Sequence, residues 1–137
     1  MRNKCVFLPE RNQEIMKRYA QIAGSGNCKT QTEALSLVVA SPCSRFWVAP
    51  ERVAKVISKL HKGGSTEGMA TCKKRMYEEL YRRYLEKIQQ EEYKKMSISL
   101  ICEILVEEEA PEFYMETETA MDIFISERNK RRRKGRV

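Results

Sequence analysis

The sequence presents one pattern twice, 67 residues apart. Residues 44–57 read SRFWVAPERVAKVI, and residues 111–124 read PEFYMETETAMDIF. In each, an aromatic pair (Phe46-Trp47, Phe113-Tyr114) precedes a short polar step and then an apolar-periodic segment. The match extends backward: ALSLVVASPC (34–43) falls over ICEILVEEEA (101–110), with Val38-Val39 over Leu105-Val106 and Thr30 over Ser97. Further back, EIMKRYAQIA (14–23) resembles ELYRRYLEKI (79–88) at an offset of 65, so the intervening turn differs by two residues. A match at fixed spacing is the mark of a duplicated structural unit. Two units of about 50 residues would each be marginal alone, so they are expected to share one core.

Local signals give each unit the order helix, helix, short strand, helix. Ile15, Met16, Tyr19, Ile22 and Ala23 recur at helical spacing over about 12–23, and Gly24-Ser-Gly-Asn27 stops that helix. Thr30-x-x-Glu33 is a capping box: the threonine accepts the Glu33 amide while the glutamate reaches back. The helix it opens meets Ser41-Pro42, where proline disfavours helical backbone at the preceding residue. Arg45-Phe-Trp-Val48 reads as a brief strand, and Pro50 fits the first turn of a third helix, where its missing amide costs nothing. Val53, Val56, Ile57 and Leu60 supply that helix's buried stripe, and Gly63-Gly64 closes the unit. A long charged helix is predicted at about 72–92, followed by a helix at 97–107, an extended segment at Glu112–Met115 and a helix at Thr117–Glu127. The fold expected is therefore mainly α: internally duplicated helix–helix–short strand–helix units packed as one compact domain. Along the chain it divides into a first unit at 1–64, a linker and second unit at 65–127, and a basic tail at 128–137. Leu35, Val38, Phe46, Ile57, Leu80, Tyr84, Leu105, Phe113 and Phe124 are the predicted core. Phe46 is paired with Phe113, and Val53 with Ala120.

Charge is unevenly placed. Residues 128–137 hold seven Lys or Arg and no acid, and the rest of the chain holds 19 of each sign, so the formal +7 resides in those ten residues. Within the body, residues 12–60 hold seven basic and three acidic residues, and residues 77–127 hold five basic and fourteen acidic. A protein with one basic half, one acidic half and a basic tail is implied, rather than a uniformly basic one.

Enzymatic signals are sparse, and no catalytic, cofactor-binding or metal-binding residue is assigned. The single histidine, His61, and five scattered cysteines without a CxxC give no zinc spacing. Gly24-Ser-Gly-Asn does not match a Walker loop, and Lys29-Thr30 stands at the wrong spacing for one. The consecutive acids Glu107, Glu108 and Glu109 do not converge on one face. They read as solvated surface or as partners for basic residues. Reduced thiols, the lack of an N-terminal signal pattern and the absence of any long apolar run point to a cytoplasmic protein with no membrane partner.

The functional expectation is nucleic-acid binding, DNA before RNA, in a regulatory role. The first two helices resemble a loose helix-turn-helix. The start of the second helix offers Lys29, Thr30 and free amides to phosphate, and Gln31 and Thr32 to a base edge. Arg45 and Arg52 are further phosphate candidates. Arg128, Lys130, Arg131, Arg132, Arg133, Lys134 and Arg136 can neutralise phosphates without reading sequence. The order of elements over residues 44–80 also resembles ribbon-helix-helix DNA-binding proteins, whose alternate strand residues enter the major groove. Here that strand would offer Arg45 and Trp47, more aromatic than that family's polar reading face, and no family is assigned. The alternative function is a protein-interaction or structural adaptor whose acidic second unit docks a basic partner. Oligomeric state is not legible in the sequence.

Overall fold

Six helices carry the described residues. A computed structural model describes residues 8–134, with side chains through Arg133. The helices are α1 (Leu8–Gly24), α2 (Gln31–Val39), α3 (Pro50–His61), α4 (Thr71–Lys87), α5 (Ile98–Val106) and α6 (Thr117–Lys134), with one 3₁₀ turn at Glu91–Tyr93 between α4 and α5. Helix starts follow the local chemistry. Thr30 accepts the Glu33 amide at the start of α2, Ser97 accepts the Leu100 amide at the start of α5, and Pro50 opens α3. α4 stops at Lys87, short of the expected end, and the 3₁₀ turn brings the Tyr93 ring under the Lys87 ammonium at 4.8 Å.

The expected short strands do not form, which corrects the helix–strand unit. Among the described residues the structure is all-α, with no β-strand. The reason lies in where the amides go. Phe46 N–H donates to the carbonyl of Val106 (2.9 Å), the last residue of α5, and Phe113 N–H donates to that of Val39 (3.0 Å), the last residue of α2. Helix ends leave carbonyls without intrahelical partners. Each aromatic segment thus caps a helix end through its phenylalanine amide instead of building a ladder. Val48 N–H turns back onto Phe46 O at 2.9 Å, which ends any extended run. The ribbon resemblance over residues 44–80 falls with the strand it needed.

What recurs at the 67-residue offset is helix and cap. Gln31–Pro50 and Ile98–Thr117 pass through the same succession of backbone states. One difference is local: Tyr114 sits at φ 56°, in the left-handed region that bulky side chains rarely occupy, and its counterpart Trp47 does not.

Contacts group the helices into two compact units, one made of residues 1–43 and 111–137, the other of residues 44–110. The first holds α1, α2 and α6; the second holds α3, α4 and α5. The third helix of each linear copy therefore packs on the first two helices of the other copy.

In the α1/α2/α6 unit, Ile15, Met16, Ala34, Leu35, Val38, Val39, Phe113, Ala120 and Phe124 are buried. The Tyr19 and Phe124 rings meet at 4.3 Å, and Arg18 Nη2 donates to Pro42 O at 3.1 Å. In the α3/α4/α5 unit, the interior holds Phe46, Val53, Ile57, Met76, Tyr77, Leu80, Tyr84, Ile101, Cys102, Leu105 and Val106. There Arg83 Nη1 donates to Glu109 O, also at 3.1 Å. Arg18 and Arg83 are 65 residues apart, and the carbonyls they hold are 67 apart. All nine predicted core residues are buried, as are Val53 and Ala120. No helix among the described residues is long and apolar enough to cross a membrane.

Candidate nucleic-acid interface

The start of α2 is already engaged. The Lys29 amide donates to Glu33 Oε1 at 2.6 Å, and the Glu33 amide donates to Thr30 Oγ1 at 3.0 Å. The capping box is closed, and the Glu33 carboxylate stands where a phosphate would approach the Lys29 amide. Lys29, Thr30, Gln31 and Thr32 are all exposed.

The seven cations of the tail fall into three groups. Arg128 is half-buried, with its guanidinium over the Phe124 ring at 5.3 Å, and its Nε is buried without a hydrogen bond. It anchors the segment on the body. Lys130, Arg131, Arg132 and Arg133 are exposed on continuous helix, which is described through Lys134. Lys130 pairs with Glu127 at 3.3 Å; Arg131, Arg132 and Arg133 form no ion pair among the described residues. The Lys134 side chain and Arg136 lie outside the described residues.

Charge and propensity together explain why the helix continues past Glu127. Arg and Lys are good helix formers, and cations at a helix C-terminus complement its dipole.

The two sets of candidates in this unit leave α1 at opposite ends. Asn12 Nδ2 donates to Glu127 Oε2 (3.3 Å) and Tyr19 meets Phe124, so α1 and α6 run antiparallel. Lys29–Thr32 follow the Gly24 end of α1, whereas Arg128–Lys134 continue about 10 Å beyond the Asn12 contact at the ordinary helical rise. Arg45 and Arg52 belong to the α3/α4/α5 unit. Arg45 is half-buried, with Nε donating to Phe46 O at 3.3 Å and its guanidinium 5.6 Å from the centre of the Trp47 ring. Arg52 is exposed on α3, and its charge opposes the burial that raises the Tyr77 hydroxyl's pKa.

Other sequence candidates have structural partners. Glu108 pairs with Lys87 at 2.7 Å and with Arg83 at 3.2 Å, and Arg83 also binds Glu79 at 2.7 Å. The Glu108 hydrogen bond holds the Lys87 ammonium above its usual range, against some loss of hydration. No group of three or more His, Cys, Asp or Glu among the described residues is placed to hold a metal. His61 lies edge-on to the Tyr81 and Tyr84 rings. Burial pushes the Cys102 thiol up to about 11, which keeps it protonated and weakly nucleophilic at neutral pH.

Two features escaped sequence reasoning. One is the carbonyl clasp of Arg18 and Arg83. Its signal was present in the Arg-Tyr pair shared by 18–19 and 83–84. The other is the helical form of the basic segment, which the sequence left open between disorder and extension of the last helix; its signal is the run of helix formers from Lys130 to Lys134. No family model, curated protein or solved structure matches this chain.

Proposed function

We propose that the chain is a non-enzymatic, regulatory nucleic-acid-binding protein that meets phosphate through the cationic end of α6 and takes DNA in preference to RNA. The observation that carries this reading is a contrast between the C-terminal turns of two helices. On α4, Arg82, Arg83 and Lys87 each have a carboxylate partner, whereas Arg131, Arg132 and Arg133 on α6 are exposed and have none among the described residues. Three adjacent uncompensated guanidiniums on a formed helix present charge at little ordering cost to a polyanion. Lys29, Gln31, Thr32, Arg45 and Arg52 are secondary candidates in this proposal, and Thr30 is assigned to its cap.

The adaptor alternative draws less support once the helices are grouped by contact. The unit of residues 1–43 and 111–137 holds 13 basic and 8 acidic residues, and the unit of residues 44–110 holds 13 and 11. The acid excess of residues 77–127 is thus divided between two units that each carry net positive charge. Cys28, Cys43, Cys72 and Cys102 are not joined in disulfides, which fits the cytoplasmic compartment proposed here.

The test is a salt series on duplex DNA with the full chain and with a chain ending at Glu127. The full chain should bind with an affinity that falls steeply with salt. Truncation should weaken binding across all sequences and flatten the slope by about 0.9 for each phosphate no longer neutralised. No binding of the full chain to DNA or RNA at low salt overturns the proposal. Unchanged affinity after truncation, with binding abolished by substitution of Lys29, Arg45 or Arg52, moves the binding surface into the folded body.

A further inference from the structure

The exposed cationic turn of α6 has a geometry that narrows the kind of polyanion it can grip. Successive helical residues are turned by about 100°. Lys130, Arg131, Arg132 and Arg133 therefore point into four different quadrants within about 4.5 Å of axial rise. All four are exposed, so no side of this turn is covered by the body. Lys130 pairs at 3.3 Å with the Glu127 carboxylate, a largely buried group three residues back on the same helix, while its own side chain stays exposed. The covered part of the segment ends at Arg128, which rests on Phe124.

A flat anionic surface or a single strand offers phosphate from one side, and a helix serving it needs cations along one stripe. A helix charged all round can meet anions on both flanks. The major groove of B-form DNA is about 12 Å wide and lies between two phosphate walls, and a helix with its side chains is about 10–12 Å across. The corresponding groove of A-form RNA is deep and too narrow for side-chain reading.

We infer that the Lys130–Arg133 turn of α6 lies in the major groove of duplex DNA and contacts phosphates on both walls. This rests on the nucleic-acid reading above and adds to it the form of the ligand and the mode of entry. The ligand is duplex rather than single-stranded, and DNA rather than RNA. The cations act from opposite sides of one helix instead of forming an unstructured cloud.

Arg131 and Arg133 are about 200° apart around the helix and so face opposite walls. The experiment compares the full chain with Arg131→Gln and Arg133→Gln, with helicity checked by circular dichroism. Each is titrated across a salt series against a short DNA duplex, an RNA duplex of the same sequence and the single DNA strand. Glutamine is chosen because it keeps helix propensity close to that of arginine. The DNA duplex should bind tightest, and both substitutions should lower its log–log salt slope by similar amounts, about 0.9 each.

If one substitution lowers the slope and the other leaves it unchanged, contact is one-sided and the groove placement is overturned. Equal binding of the RNA duplex or of the single strand overturns it as well. Both results leave the broader nucleic-acid reading standing. Failure of the unsubstituted chain to bind any of the three at low salt overturns that reading, and this inference with it.

Discussion

The α1/α2/α6 unit and the α3/α4/α5 unit are assembled on one plan and finished with different chemistry. In both, an aromatic residue's amide closes the end of a nine-residue helix, and an arginine from the longer helix holds a carbonyl three residues past that end. Around residues 107–110 the second unit reads EEEA where the first, at 40–43, reads ASPC. That change turns a single carbonyl contact into a network. Arg83 stacks over Phe46 at 5.0 Å and binds Glu79 and Glu108, and Lys87 completes the Glu108 pair. Among the described residues Arg18 has only Pro42 O and a 3.4 Å contact with Gln21. Backbone and core carry the shared plan, while charge placement distinguishes the units. In one, Arg82, Arg83, Lys87 and Lys94 pair with acids of the same unit; in the other, Arg131, Arg132 and Arg133 of α6 form no ion pair among the described residues.

The largest effect expected from breaking this comparison is at the paired phenylalanines. Phe46→Ala and Phe113→Ala each remove a buried ring and should each cost about 3–5 kcal/mol in denaturant unfolding. Phe46→Ala should cost more, because it also removes the surface under Arg83. Equal or reversed losses would argue that the Arg83 network adds nothing to the second unit.

The arginine pair is the next test. Arg83→Ala should destabilise by about 2 kcal/mol through loss of charge-assisted bonds at a half-buried site. Arg18→Ala, at an exposed bond, should cost about 1 kcal/mol or less. The same unfolding curves decide it, and a larger effect at Arg18 would dissolve the distinction between the units.

How much of this was legible in the sequence differs by feature. Helix starts were legible because Thr30, Ser97 and Pro50 are local chemistry, and the core was legible because its apolar spacing is helical. The strands were misread because an aromatic pair after a turn looks extended until the single partner of each amide is known. The exchange of third helices was hidden for a related reason. The stripe of Val53 and Ile57 and that of Ala120 and Phe124 announce that each helix is buried, but not against which copy. The basic segment was visible as charge. Its helical form depended on reading propensity through a run that carries no apolar period. The pairing of Glu108 with Arg83 and Lys87 spans more than twenty residues and has no local signature.

A smaller effect should appear with pH. Hydrogen bonds from Arg82 first, and then Arg83, hold the Glu79 carboxyl below the usual range, despite partial burial. A carboxyl with a depressed pKa in the folded state contributes stability above its unfolded pKa, and that contribution is lost as pH falls through the folded value. Acidification through the carboxylate range should therefore weaken residues 44–110, and Glu79→Gln should flatten that part of the stability profile. A Glu79→Gln profile that keeps the full acid limb would place the limb elsewhere.

The exchange of third helices underlies every comparison between the units, and ring contacts in solution test it most directly. Tyr19 lies in α1, Phe124 in α6, and Ile57 occupies in α3 the position that Phe124 occupies 67 residues later. Nuclear Overhauser contacts measured on the labelled full chain should join the Tyr19 ring to Phe124, whose centroid is 4.3 Å away. Cross-peaks from Tyr19 to Ile57, with none to Phe124, would show that each copy keeps its own third helix and would contradict the account.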